Sequence, residues 1–298
     1  KNDQSVDITD DVVTSGDGLY VDSTREGRYV YKGTTPNNYI QFNNELWRIV
    51  AKESDGTYKI FKDEPLPSRP FDQEGYRDVQ SNGAGGTYCE IDNGRGFGCN
   101  AWAANKNYSF SLSSLFEFTN TTLTGTVLLD ASLNQYLNGE YLASIITNKE
   151  YIVTHDWGVG ATYTDASMSD DGDVDPSELV AEENKYLWNG KVALLSSSDL
   201  LLSLRDEELC GTENKFKNNF GTCTTNSYLL SYMSEGPWWL LSPCATDNAV
   251  DMHRFAVFTS VSSMTSASDN SLIHPVLYLS ADIKLKGTGT MQDPYVIQ

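Results

Sequence analysis

The sequence lacks long hydrophobic runs and is poor in basic residues. No stretch of about 20 apolar residues occurs in the 298 residues, so no segment predicts a membrane-spanning helix. Only 21 lysines and arginines stand against 41 aspartates and glutamates, which gives a formal charge of −20. A chain of this charge repels nucleic-acid phosphates and anionic lipid surfaces, so we expect neither as a partner.

Histidine is scarce, and the motifs that would make it catalytic are missing. The three histidines are His155, His253 and His274. His155 and Asp156 are adjacent, so their side chains diverge if both lie on a strand. Neither a G-x-S-x-G elbow nor an H-E-x-x-H helix occurs. The sequence therefore predicts no catalytic residue.

Cysteine is also rare, yet four of the five cysteines bracket short loops. Cys89 and Cys99 enclose a glycine-rich loop, and Cys210 and Cys223 enclose a second loop. A disulfide across such a loop stabilises a protein by roughly 3 kcal/mol. Neither pair has C-x-x-C spacing, which disfavours zinc binding and thioredoxin chemistry. We expect two disulfides in an exported protein, with Cys244 unpaired; five reduced thiols in a cytosolic protein are the alternative.

Apolar and aromatic residues are abundant enough for a sizeable core. Hydrophobic residues make up 39% of the chain, including 17 tyrosines and 6 tryptophans. Residues 1–15 are polar and predict a linker or a disordered start, and the absence of an initial methionine suggests that an export segment was removed. Residues 16–298 contain no repeat or linker, so they predict a single α+β domain with long loops.

Short strand signals separated by turns open this domain. Tyr39–Phe42 and Leu46–Val50 flank Asn43-Asn44-Glu45 as a hairpin, and Thr57–Phe61 follows after another turn. Polarity alternates along these segments, as in sheets with one wet face and one buried face. The pattern predicts an antiparallel β-meander over residues 16–62.

Several short helices are expected further along the chain, including one that begins near Glu140 and one that begins at Asn226 or Ser227. Asp130 is a suitable N-cap for a helix with apolar residues at i, i+3 and i+4, and Gly139 is expected to end that helix. Asp199 is a suitable N-cap for a short helix from Leu200 to Leu204.

The most apolar stretch is Trp238–Pro243. Together with Phe255–Val261 and His274–Leu279 it predicts three adjacent core strands. Side chains alternate between the two faces of a strand, so we expect Trp239 in the core and Trp238 in contact with a ligand. The alternative is that both tryptophans are simply core residues.

The acidic loop Ser167–Glu178 is the candidate metal site. Its carboxylates are the hard oxygen ligands that calcium binds. Neither possible EF-hand frame is regular, since one puts Ser167 at the first position and the other puts Pro176 where a positive φ is required. A solvated acidic loop is the alternative. The predicted ligands are Asp171, Asp173, Asp175 and Glu178.

A series of short motifs runs from Gly16 to the end of the chain. The motifs are Gly16–Tyr20, Tyr29–Gly33, Pro36–Tyr39, Leu46–Ile49, Tyr136–Gly139, Trp188–Val192, Trp239–Pro243, Pro275–Leu279 and Lys284–Thr290. Their order resembles that of uncharacterised surface proteins of Gram-positive gut bacteria. The resemblance implies an exported, cell-surface-attached protein. It also implies a C-type-lectin-like core over about residues 100–298, similar to formylglycine-generating enzymes.

The resemblance further implies a ligand-binding face on the loops around the last strands. An ordinary polar loop is the alternative for this stretch. His274 departs from the family, which usually has arginine there, and Ser81–Cys99 looks like an insertion to which no family property carries over. The contacts implied are Trp238, Asp247, Asn248, Asp251, His253 and Arg254.

These observations predict an exported recognition or adhesion protein that binds a glycan or a protein ligand without catalysis. Formylglycine-generating enzymes act through a cysteine pair, and Cys244 has no partner if the other four cysteines are bonded. Calcium is the one cofactor that the sequence suggests. A pilus-associated or cell-wall structural subunit is the alternative, and an enzyme of unknown reaction is a third hypothesis.

Overall fold

Strands form most of the regular structure of this protein. The computed structural model describes residues 5–73, 79–81, 90–91, 95–96, 101–113, 120–127, 129–160, 162, 174–243, 251–256, 260–267 and 269–298. The strands are β1 (Gly18–Val21), β2 (Tyr29–Lys32), β3 (Tyr39–Phe42), β4 (Glu45–Lys52), β5 (Tyr58–Lys62), β6 (Leu66–Pro70), β7 (Val79–Ser81), β8 (Glu90–Ile91), β9 (Arg95–Gly96), β10 (Asn105–Ser113), β11 (Asn120–Val127), β12 (Ile152–Val153), β13 (His155–Gly158), β14 (Leu187–Gly190), β15 (Val192–Ala193), β16 (Trp238–Pro243), β17 (Asp251–Ala256), β18 (Ser260–Ser266), β19 (Asn270–Ile273), β20 (Val276–Leu279), β21 (Leu285–Lys286) and β22 (Tyr295–Ile297).

The helices are short and interrupt the strand order, which confirms the predicted mixture of helices and strands. None of the helices in the described ranges is long and apolar enough to cross a bilayer. The α-helices are α1 (Ser132–Tyr136), α2 (Leu142–Ser144), α3 (Pro176–Glu183), α4 (Ser197–Leu202), α5 (Glu207–Cys210), α6 (Glu213–Asn218) and α7 (Phe220–Cys223), with a π-helix at Leu137–Tyr141 and 3₁₀ helices at Ile8–Asp11, Lys149–Tyr151 and Leu229–Glu235.

The predicted N-terminal meander is confirmed, and it forms part of a larger sheet. Strand β3 pairs antiparallel with β4, and β4 with β5. Asn43 and Asn44 have φ values of 53° and 60°, the left-handed conformation that a tight two-residue hairpin requires. The sheet continues on both sides with strands from the end of the chain, since β20 lies beside β5 and β22 lies parallel to β3. Both ends of the chain therefore build one sheet of ten strands in the described residues.

The prediction of three adjacent core strands is only partly correct. The predicted strand Phe255–Val261 covers the last two residues of β17 and the first two of β18, and residues 257–259 lie outside the described residues. A second sheet has the order β18-β17-β16-β19-β6, so the Trp238–Pro243 strand does lie beside β17. Strand β20 belongs to the first sheet instead, and β19 is the neighbour of β16. His274 and Pro275 lie between β19 and β20, where the chain passes from one sheet to the other. Proline has no N–H to donate to a ladder, which suits it to this crossing point.

Both tryptophans of β16 are buried, so the expected exposure of Trp238 is wrong. Each has a relative exposure of 0%. The Trp238 ring lies 5.9 Å from that of Phe61 on the first sheet, and the Trp239 ring lies 6.0 Å from that of Phe71. Strand β16 is an inner strand that is covered on both faces. Alternation along the strand therefore directs both side chains into apolar surroundings.

The first predicted helix is present, but its ends differ from the prediction. The N-cap is Ala131, which makes no side-chain cap bond, whereas Asp130 accepts a hydrogen bond from the backbone N–H of Ala104 at 2.8 Å. Gly139 does not end the helix, because α1 continues through a π-helix at Leu137–Tyr141 into α2. A helix interior tolerates one glycine at a cost of about 1 kcal/mol.

One of the two predicted disulfides is confirmed. Cys210 at the end of α5 is bonded to Cys223 at the end of α7, with 5.7 Å between their Cα atoms and a sequence separation of 13. Cys89, Cys99 and Cys244 lie outside the described residues, as does most of the Ser81–Cys99 stretch. The bond holds α5, α6 and α7 together beside the cleft described below.

Replacing both Cys210 and Cys223 by serine is expected to lower the free energy of unfolding by about 3 kcal/mol, because the open chain gains entropy when the loop is released. Urea unfolding at neutral pH measures the loss, and wild-type protein treated with dithiothreitol should lose a similar amount. An unchanged urea midpoint would contradict the prediction. Mass spectrometry of unreduced peptides checks the pairing independently, and a peptide joining Cys244 to Cys210 would exclude it.

Candidate functional site

A half-open cleft of about 310 Å³ lies between the edge of the first sheet and helices α3, α4 and α5. This volume is at the lower end of the range for small-molecule sites, about 300–1,000 Å³. A ligand the size of one sugar ring is the kind of group that such a cleft accommodates. The lining residues are Ser23, Thr24, Lys32, Asp175, Pro176, Ser177, Leu201, Leu202, Glu207 and Gly211.

An ion pair between Lys32 and Glu207 fixes one side of the cleft. Lys32 is the last residue of β2, and it is only 3% exposed. Its ammonium contacts the carboxylate of Glu207, the first residue of α5. The side chain of Glu207 is 60% exposed. A desolvated ammonium requires such a partner, since burying a lone charge is costly. The pair therefore places a buried donor next to an accessible acceptor.

Apolar groups form another part of the cleft lining. Leu201 and Leu202, at the end of α4, are 2% and 3% exposed. Pro176, the first residue of α3, also lines the cleft. Fixed charges beside an apolar surface are suited to ligands that carry both hydroxyl groups and C–H faces.

Two of the predicted calcium ligands act as a helix cap. Asp175 accepts hydrogen bonds from the backbone N–H groups of Ser177 at 2.8 Å and Glu178 at 3.0 Å. Glu178 in turn accepts from the backbone N–H of Asp175 at 3.1 Å, which completes a capping box. Hydrogen bonds from Ser177 and Glu178 lower the pKa of Asp175.

The calcium interpretation itself stays a prediction. Asp171 and Asp173 lie outside the described residues. Within the described part of the chain, no group of three or more His, Cys, Asp or Glu side chains is arranged to hold a metal ion.

The predicted ligand contacts were expected on loops around the last strands, but the structure does not place the described ones there. Asp247 and Asn248 lie outside the described residues. Asp251, His253 and Arg254 belong to β17, which is paired on both sides, with β16 and with β18. These three residues therefore occupy an inner strand and not a loop. Trp238, the sixth predicted contact, is a core residue as described above.

His274 stands in the core and carries no charge at neutral pH. Its ring stacks on Phe61 at 4.6 Å, and its Nδ1 lies 2.9 Å from the backbone oxygen of Lys62. Burial lowers the pKa of His274 to about 4. His274 is thus a neutral aromatic ring that packs in the core.

A network of buried charges lies at the start of α4, and no sequence pattern indicated it. Arg28 on the turn before β2 donates to Asp22 at 2.6 Å and to Glu53 at 2.8 Å. Asp199 lies 3.4 Å from Arg28 and 2.5 Å from the ammonium of Lys59. Burial alone would raise the pKa of Asp199, but the Lys59 and Arg28 cations hold that pKa well below its usual value. The network joins the first sheet to the start of α4.

The prediction that Asp199 is the N-cap of this helix is wrong. Asp199 is the third residue of α4. Ser196 is the N-cap, and the carboxylate of Asp199 accepts a hydrogen bond from the backbone N–H of Ser196 at 3.0 Å. A serine followed three residues later by an acid forms a capping box. Asp199 thus caps the start of α4 and also pairs with the two cations Arg28 and Lys59.

A smaller polar cavity of about 60 Å³ adjoins this network. The buried carboxyl of Glu183 borders it and accepts hydrogen bonds from Ser198 Oγ at 2.5 Å and Ser242 Oγ at 2.8 Å. Burial raises the pKa of Glu183. His155 also borders the cavity, with its ring stacked on Tyr278 at 3.8 Å. The space suits a few water molecules rather than a sugar ring.

Comparison with family models, with curated proteins and with solved structures found no match to this chain. The resemblance to Gram-positive surface proteins therefore stays a prediction from the motifs. The 310 Å³ cleft is the candidate functional site on geometric grounds alone.

Proposed function

We propose that this chain is an exported, cell-surface-attached recognition protein that binds a glycan in the cleft between β2 and α5, without catalysing a reaction. The ion pair of Lys32 and Glu207 beside the apolar Leu201 and Leu202 is the observation that supports this function. A sugar ring offers hydroxyl groups at its edge and C–H groups on its face, so it complements both parts of the lining.

The fold and the location belong to the same proposal. A C-type-lectin-like arrangement of the C-terminal part and attachment to the cell surface are supported by the motif series. The net charge of −20 makes nucleic acid an unfavourable partner. The proposed ligand site differs from the one that the motifs implied, because it uses strands and helices flanking the disulfide instead of loops around the last strands.

Replacing Glu207 by glutamine is expected to weaken glycan binding by about tenfold or more. A hydrogen bond to a charged acceptor contributes roughly 1.5–3 kcal/mol, and about 1.4 kcal/mol corresponds to a factor of ten in affinity. A glycan array identifies the ligand, and calorimetry with the best-bound glycan measures the loss. Glu208→Gln is the matched control, since Glu208 is the exposed neighbour of Glu207 and does not line the cleft.

The comparison of the two variants decides what the cleft contributes. Equal losses for Glu207→Gln and Glu208→Gln would assign binding to net charge and not to the cleft. A wild-type chain that binds no glycan on the array, with or without calcium, would refute the proposed function. Self-association of such a chain would then favour the pilus or cell-wall subunit.

A further inference from the structure

The chemistry of the Lys32–Glu207 pair restricts the ligands that the cleft can accept. A lysine ammonium has three donors, and a carboxylate has two acceptor oxygens. The contact between the two groups uses one donor of Lys32 and one oxygen, Oε1, of Glu207. The ammonium also lies 5.6 Å from the centre of the Tyr20 ring. The pair therefore retains a donor on Lys32 and an acceptor on Glu207 for a ligand in the cleft.

A single hydroxyl group is the simplest partner for both members of such a pair. A hydroxyl accepts and donates at once, so it can accept from the Lys32 ammonium while donating to the Glu207 carboxylate. Chains of hydrogen bonds to charged groups polarise and strengthen one another. A hydroxyl is uncharged, so its binding adds no net charge to the pair of Lys32 and Glu207.

The other charges of the cleft disfavour an acidic ligand. One cation, Lys32, stands against two carboxylates, Asp175 and Glu207, among the lining residues. Because hydrogen bonds lower the pKa of Asp175, this group stays ionised at neutral pH. The ligand-facing charge is therefore negative, as is the chain as a whole. A carboxylated or sulfated sugar would meet repulsion at this site.

We infer that the cleft recognises a neutral sugar unit through one hydroxyl that bridges Lys32 and Glu207, and that this recognition needs no calcium. The inference rests on the proposed function and specifies the ligand class and the mode of binding. The buried ammonium supplies the positive charge that would otherwise come from a metal ion. The apolar wall of Leu201 and Leu202 lies against the C–H face of the ring.

Removing the bridging hydroxyl from the ligand should be costly. A site built to hydrogen-bond a hydroxyl rejects the analogue that lacks it, because its buried polar group is left without that partner. The experiment is an NMR titration of the wild-type chain, in EDTA, with glucose, galactose and mannose and then with the monodeoxy analogues of the best-bound hexose. We expect one deoxy position to weaken binding by about tenfold or more and the others to have little effect.

The same titration with Glu207→Gln tests whether that position meets the ion pair. The penalty for the deoxy analogue should shrink severalfold in this variant, since the two changes remove one shared interaction. Glu208→Gln should keep the full penalty. Glucuronic acid and N-acetylneuraminic acid should bind more weakly than the neutral hexose. Glu207→Gln removes the charge partner of the buried Lys32 ammonium, so thermal unfolding of both variants is measured first and binding is compared at a temperature where both are folded.

The outcomes separate this inference from the proposed function. Glycan binding that disappears in EDTA, or that Glu207→Gln leaves unchanged for every analogue, overturns the inference while recognition stands. Stronger binding of the acidic sugars also overturns it. If no sugar and no arrayed glycan binds in either condition, the proposed function fails and the inference fails with it.

Discussion

Replacing Asp199 by asparagine is expected to lower the free energy of unfolding by about 3–5 kcal/mol. Asp199 is 2% exposed, and its carboxylate lies 2.5 Å from the ammonium of Lys59 and 3.4 Å from the guanidinium of Arg28. Asparagine has almost the same shape, so the change leaves the space filled and removes only the charge. Lys59 would then keep a buried positive charge without the carboxylate that neutralises it. Urea unfolding followed by tryptophan fluorescence measures the effect.

Two further variants separate the charge from other contributions. Asp282→Asn makes the same chemical change at an exposed position, and it should alter stability by less than about 0.5 kcal/mol. Asp199→Ala removes the charge and also the capping bond to Ser196, so it should be at least as destabilising as Asp199→Asn. A loss below about 1 kcal/mol for Asp199→Asn would mean that Lys59 is not held by this pair.

The pH dependence gives an independent check on Asp199. The two cations hold its folded-state pKa below the ordinary value of 3.8, which applies to the unfolded chain. The stabilisation is therefore fully present above the unfolded value and is lost as the pH falls toward the lower, folded value. The wild-type chain should lose stability in acid more steeply than Asp199→Asn. Parallel curves from neutral pH to about pH 2 would contradict the assignment.

The parts of the fold that sequence analysis predicted are those held by local pairing. The meander was predictable because β3 and β4 are joined by a turn at Asn43 and Asn44, and turn residues and strand alternation are both visible in sequence. The pairing of β20 with β5 links residues more than two hundred positions apart. No local pattern encodes such a contact, and the sheet order could not be predicted for that reason.

The candidate site was harder to predict for a related reason. Lys32 and Glu207 are 175 residues apart in sequence. Lys32 lies in the Tyr29–Gly33 motif, but that motif does not indicate Glu207 as its partner. The chemistry of Asp175 and Glu178 was noticed, but the spacing Asp175-Pro176-Ser177-Glu178 is also the signature of a capped helix start, which is the role that the structure assigns to both acids. Hard oxygen ligands and helix caps use the same residue types, so spacing alone did not separate the two roles.

The strand at Trp238 and Trp239 shows why alternation alone misplaced one side chain. Alternation states that neighbours point to opposite faces, but it does not state that one face is wet. A continuous run such as Trp-Trp-Leu-Leu is typical of a strand that is buried on both faces. Burial of all six residues of β16 agrees with that second rule. The apolar run was therefore the better guide than the alternation of faces.

Replacing Trp239 by alanine is expected to lower the free energy of unfolding by about 3–5 kcal/mol, because the indole is fully buried and a cavity would remain.

Trp239→Phe keeps a ring near Phe71 but removes the N–H that donates to the backbone oxygen of Arg69 at 2.7 Å. An intermediate loss of about 1–3 kcal/mol should therefore follow. Leu187→Ala is the surface control, since Leu187 is 60% exposed. Trp238→Ala should match Trp239→Ala in urea unfolding. If it instead had no effect on stability, Trp238 would be an exposed residue, as alternation alone had indicated.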